Sequence, residues 1–170
     1  VERRTFLFGL AGSAGALLLS GCGFHLRGTG GGHQLPFSRL ALNAADGPTN
    51  PLTRQVQQAL NSAGVVVEDS APWRLNMGPE SFDERELTYG DAGIQERQMT
   101  LTLPWSLQRR DDNAYLVSQE SLSLSGTFYT SSDQLLTRDD ARNQLRRELR
   151  QQAARRLIDR LQNLDPGDAS

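Results

Sequence analysis

From Ser38 onward the chain changes its hydrophobic period in an ordered way. Ser38-Arg39-Leu40-Ala41-Leu42-Asn43 alternates polar and apolar residues, the period-two signature of a short strand. From Leu52 the apolar positions recur instead at Leu52, Val56, Ala59, Leu60 and Ala63, which lie on one face of a helix. Asn50 suits the N-cap of that helix, Pro51 its first turn and Gly64 its end, so both boundaries are marked. Val65 to Val67 is β-prone but short.

Alternation then resumes. A second strand is expected over 73–89, interrupted at Gly78-Pro79, where proline's missing N–H implies a bulge or an edge position. Gly90-Asp91-Ala92-Gly93 reads as a turn. In the third strand Met99, Leu101, Leu103, Trp105 and Leu107 share one face, with Thr100, Thr102, Pro104 and Ser106 opposite. Asp111-Asp112-Asn113 turns the chain into a fourth strand, which sets Leu122, Leu124 and Phe128 against Ser121, Ser123, Ser125 and Thr127. Such strict alternation predicts an antiparallel hairpin covered on one face only. A final helix is expected over 132–164, capped by Ser132 or Asp133 and ended by Asp165-Pro166-Gly167. Its apolar stripe is Ala141, Leu145, Leu149, Ala153, Leu157, Leu161 and Leu164.

The expected fold is therefore α+β: a two-layer sandwich with two helices on one face of a small, mostly antiparallel four-stranded sheet. The expected division is a removable leader at 1–21, a glycine-rich tether at 22–36, one domain at 37–165 and a short tail at 166–170.

Composition narrows the function classes. A formal net charge of −2 argues against a general nucleic-acid binder. All 18 basic side chains are arginine, the better bidentate partner for phosphates and carboxylates. After the N-terminal region, no segment is long and apolar enough to cross a membrane.

The N-terminal pattern is of another kind. Arg3-Arg4 precedes an apolar or small-residue run to Leu19, and Leu19-Ser20-Gly21-Cys22 follows. A basic start, an apolar run and small residues before a cleavage point make a secretory leader. Leu-Ser-Gly-Cys resembles the bacterial lipobox, in which the cysteine after the cut is acylated. Cys22 is the only cysteine, so neither an internal disulfide nor a cysteine metal site competes for it. Each buried methylene of an acyl chain contributes about 0.8 kcal/mol, and two lipid signals already give stable anchoring. Gly23, rather than aspartate, after the cysteine favours the outer membrane over retention at the inner one. Arg3-Arg4-Thr5-Phe6-Leu7 fits both Sec and twin-arginine export.

A catalytic constellation is not legible. His25 and His33 lie in or beside the tether, where nothing preorganises them. Gly30-Gly31-Gly32 follows no strand and opens no helix, so it is no phosphate loop. Glu80, Asp83, Glu84 and Glu86 lack ordered metal-ligand spacing and read as a solvated polar strand. No enzyme activity, cofactor or metal is expected. The arginines of the last helix read as a solvated face, or as a contact for anionic groups; Arg138 stands out because it lies where sheet passes into helix.

Taken together, Cys22-Gly23-Phe24-His25-Leu26-Arg27 directly after a lipobox, Leu52-Thr53-Arg54, 61–65 around Gly64, and 153–161 resemble the LptE family of lipopolysaccharide-assembly lipoproteins. The likeness extends to element order and to nearly the whole mature chain. It implies a non-enzymatic, lipid-anchored protein on the periplasmic side of the outer membrane. There it would plug the LptD β-barrel, assist that barrel's assembly and bind lipopolysaccharide. A basic position of the family just before the last helix falls on Arg138, and Arg142 one turn on shares its face. A second basic position falls near Gly90, which carries no charge here; Arg97 lies a few residues further on. The hydroxyl face of the fourth strand suits a polar, wet barrel lumen. A second reading is a free outer-membrane lipoprotein that binds a soluble periplasmic ligand or protein.

Overall fold

The computed structural model describes residues 35–88, 93–131 and 135–165, with the side chains of 131 and 135–137 excepted. The leader, Cys22, the tether as far as 34 with His25 and His33, the Gly90-Asp91-Ala92 turn, the Ser132/Asp133 cap and the tail lie outside the described residues; Leu35, expected in the tether, is instead buried in the core.

Within them the order is β1 (Arg39–Ala44), α1 (Pro51–Ser62), β2 (Val66–Val67), β3 (Trp73–Met77), β4 (Ser81–Glu86), β5 (Ile94–Arg109), β6 (Tyr115–Ser131) and α2 (Leu135–Gln162). The first helix forms as its end signals require. Asn50 Oδ1 accepts hydrogen bonds from the backbone N–H of Leu52 at 2.7 Å and of Thr53 at 3.4 Å. Past its C-terminus Gly64 takes φ +82°, a conformation in which a side chain would be strained.

The sheet is α+β as expected, but it is six-stranded and mixed rather than four-stranded and mostly antiparallel. β1 runs parallel to both β2 and β3. The reason is the crossover: α1 carries the chain back to the start of β1, so the next strands repeat its direction. The Val65–Val67 segment supplies β2, with Val66 N donating to Ser38 O at 3.0 Å and Glu68 N to Leu40 O at 3.2 Å.

The expected interruption at Gly78-Pro79 divides the segment into two strands, β3 between β1 and β5 and β4 at the edge. β3 pairs with 105–109 of β5 and β4 with 97–102, both antiparallel and both on the same side. Between them Gly78 N donates to Pro104 O at 2.8 Å. A Cβ at Gly78 would lie 3.1 Å from Pro104 Cβ, so glycine permits that approach. β6 covers the other side of β5 along nearly its whole length, with irregular register near Trp105 to Gln108.

The apolar alternation is obeyed. Met99, Leu101, Leu103 and Leu107 are fully buried, and Leu122, Leu124 and Phe128 nearly so. They form one core with Leu52, Val56 and Leu60 of α1 and Leu145, Leu149, Leu157 and Leu161 of α2. Fully burying such a side chain contributes about 1.5–3 kcal/mol. Gly126 lies opposite Met99 in β6, and a Cβ there would come 2.6 Å from Leu145 Cδ1. Its absence lets α2 settle against the strand.

Candidate functional site

Two periodicities meet along the flank of α2. A strand repeats its face every second residue, about 6.6 Å, and a helix every fourth, about 6 Å. On β4 and the residue before it, Glu80, Phe82, Glu84 and Glu86 alternate with Ser81, Asp83 and Arg85. Phe82 and Glu84 sit opposite the core residues Leu101 and Met99, so this row lies on the helix side of the sheet. On α2 the corresponding row is Arg150, Arg146, Arg142 and Arg138.

The rows interlock rung by rung. Arg150 Nε donates to both Glu80 oxygens at 3.0 Å, and its Nη2 to Oε1 at 2.7 Å. Arg146 and Arg150 hold their guanidinium carbons 5.2 and 5.1 Å from the Phe82 ring centroid. Arg142 Nη2 donates to Glu84 Oε2 at 2.9 Å, with Nε 2.8 Å from Oε1. Glu80 also accepts from Asn50 Nδ2 at 3.2 Å, and its backbone N–H donates to Asp46 Oδ2 at 2.8 Å. The side chain of Glu80 is 8% exposed and that of Glu84 16%. The expectation of a solvated acidic strand therefore holds for the exposed Asp83 and fails for Glu80 and Glu84, whose charges are taken up by arginine.

The last rung is different. One turn before Arg142 stands Arg138, and two residues beyond Glu84 stands Glu86, so the register sets this pair at the end of the ladder. Glu86 is already engaged: Arg97 Nη2 donates to its Oε2 at 3.3 Å across the β4–β5 pair. Among the described residues, the buried Nε atoms of Arg97, Arg138, Arg142 and Arg146 all lack a well-formed hydrogen bond, although Arg142 Nε lies 2.8 Å from Glu84 Oε1. Glu80 is held by Arg150, and Glu84 by Arg142 with Arg146 3.9 Å away, whereas among the described residues Arg138 forms no ion pair and Glu86 is engaged by Arg97.

The expected candidates are therefore placed unequally. Arg97 and Arg138 belong to the same end rung, Arg138 half-buried rather than fully exposed. Arg142 is committed to Glu84, and its Nη1 lies 3.6 Å from Asp139. Cys22 lies outside the described residues. Among those residues no group of His, Cys, Asp and Glu suited to a metal is found, and no helix is long and apolar enough to cross a membrane.

The opposite sheet face is polar. Ser121, Ser123, Ser125 and Thr127 are all exposed, and Thr100 Oγ1 lies 2.8 Å from Ser125 Oγ. Asn43 Nδ2 donates to Asn76 Oδ1 at 3.1 Å, whose Nδ2 donates to Ser106 Oγ at 3.4 Å. Its exposed aromatic and aliphatic side chains lie at the two ends, Tyr115 56% exposed at one and Tyr129 62% and Ile94 72% exposed at the other, the end-rung side.

Residues 37–161 match the protein family described as "LptE: Lipopolysaccharide-assembly". The LPS-assembly lipoprotein LptE of Pectobacterium atrosepticum is 32% identical, over 92% of this chain and 83% of its own. That of Photorhabdus laumondii is 31% identical, over 92% and 84%. Among solved structures, the rare lipoprotein B from Shewanella oneidensis superposes with a TM-score of 0.63 at 19% identity, over 72% of this chain and 92% of its own. A lipoprotein B from Nitrosomonas europaea gives a TM-score of 0.63 at 18% identity, over 81% and 88%. These two likenesses show a shared fold.

Proposed function

The chain belongs to the LptE lipopolysaccharide-assembly family, and from that premise we propose the finer account that follows. Its role is in lipopolysaccharide assembly at the outer membrane, and its relatives are named as assembly lipoproteins rather than for a catalysed reaction. Cys22 carries the lipid that holds the protein on the periplasmic side. The folded domain plugs the LptD barrel and assists its assembly, and the end rung of the ladder binds lipopolysaccharide.

The observation that carries the binding reading is the end rung itself. Among the described residues Arg138 forms no ion pair, and Glu86, engaged by Arg97, neutralises only one of the two charges. A lipid phosphate fits such a pair, because guanidinium binds phosphate through parallel charge-assisted hydrogen bonds. Arg142, held by Glu84, contributes mainly through its charge. The polar face of β5 and β6 suits the lumen of a barrel, where a broad apolar surface would be poorly solvated.

Co-purification in mild detergent, with photocrosslinkers at Ser121, Ser123 and Thr127, tests the plug. We expect the protein to leave the membrane with LptD and these positions to form adducts with it. A protein that emerges alone, with no adduct from this face or either helix, overturns the plug and favours a free lipoprotein.

A further inference from the structure

β6 leaves its outer edge unused. β5 occupies one side of it, and among the described residues no strand or backbone hydrogen bond reaches the other. An edge of this length is normally guarded by charge, proline, a bulge or a covering element. The first part of β6 has such protection: its register with β5 is irregular near Leu107, and Glu120 stands there. From Ser121 to Ser131 the pairing is regular, and the stretch contains no proline and no charge.

A cleft of about 200 Å3 lies over the middle of this stretch, lined by Thr127 and Phe128 of β6 and by Ala141, Gln144, Leu145 and Glu148 of α2. No β5 residue lines it, which sets it on the free side of β6. Its floor is apolar, from Phe128, Ala141 and Leu145. Its rim is polar, with Gln144 Nε2 donating to Glu148 Oε1 at 2.9 Å. A strand edge beneath an overhanging helix is the geometry in which an added strand gains affinity from its backbone and selectivity from one seated side chain.

We propose that β6 accepts an extended, uncharged segment of another protein as an additional strand, with one aliphatic side chain of that segment seated between Phe128 and α2. The cleft has room for one such side chain. A second copy of this chain would bring its own α2 over the same gap, so two helices would contend for that space. A bare extended segment has no overlying element. This inference is independent of the lipopolysaccharide reading, which concerns the other flank of α2.

The test uses the full lipidated chain in detergent and a labelled peptide of alternating threonine and valine, with a leucine at its centre. The comparison peptide carries the same side chains but is N-methylated at every second amide. We expect saturable binding that N-methylation weakens by about tenfold or more. Amide hydrogen exchange over 121–131 should slow when the peptide binds. Gln144→Trp and Glu148→Trp, both at exposed positions, should block the cleft and weaken binding without lowering the melting temperature. Absence of saturable binding, binding indifferent to N-methylation, or a dimer of the free chain that already protects 121–131 would each overturn the proposal.

Discussion

Arg150 grips Glu80 through three contacts of 2.7 to 3.0 Å and so ties α2 to the start of β4 across 70 residues of chain. The same carboxylate receives Asn50, the N-cap of α1, so one glutamate links both helices to the sheet. Removing one member of a buried pair strands the other charge, at a cost of about 3–5 kcal/mol when burial is complete. Arg150 keeps 19% of its side chain exposed, which lowers the expectation to about 2–3 kcal/mol for Glu80→Ala. Urea denaturation should show that loss, and Glu80→Leu with Arg150→Met should cost less than the two single changes added together. Full additivity would mean that the pair is not coupled.

Gly126 and Leu145 give a second test of the same packing. A methyl group at Gly126 would press on Leu145 Cδ1 at 2.6 Å, and Leu145 is itself buried. Overpacking of this kind costs about 1–3 kcal/mol. Gly126→Ala should therefore lower the melting temperature, and Leu145→Val in the same chain should recover part of the loss. A Gly126→Ala protein as stable as the parent would show that α2 does not sit this close to β6.

Much of the fold was legible because its signals are local. Asn50-Pro51 and Gly64 mark α1 within a few residues of its ends, and the alternation of β5 and β6 can be read one strand at a time. The parallel pairing of β1 was hidden, since it depends on where the crossover through α1 returns the chain. The arginine ladder was hidden for a related reason. Its glutamates and arginines belong to elements 58 to 70 residues apart, and each row alone looks like an ordinary solvated face. The signal that reveals it is a match of step lengths, every second residue on a strand against every fourth on a helix. Arg138 could be singled out from its position at the sheet-to-helix passage. That its row on α2 ends opposite the Arg97–Glu86 pair required the register of β4 on β5.

The N-terminal assignment makes its own prediction. Mass spectrometry of the mature protein should find a chain that begins at an acylated Cys22. Cys22→Ala should release the protein from the outer membrane or leave it with an uncleaved leader, with the domain's thermal melt unchanged. A mature chain that starts elsewhere with an unmodified thiol would contradict lipid attachment.

The most direct measurement of the central claim is lipopolysaccharide binding by the purified protein and its Arg138→Asp variant, at low and high ionic strength, with a thermal melt of each. Reversing the charge leaves the end rung with two carboxylates for one arginine, so binding should weaken, and more at low salt than at high salt. Arg97 keeps its charge at the same end of the ladder, so the loss should be partial. The melts should coincide, because the end rung lies beyond the inner pairs that hold α2 to β4. A folded Arg138→Asp protein that binds lipopolysaccharide as tightly as the parent at both salt concentrations would contradict the assignment of the end rung.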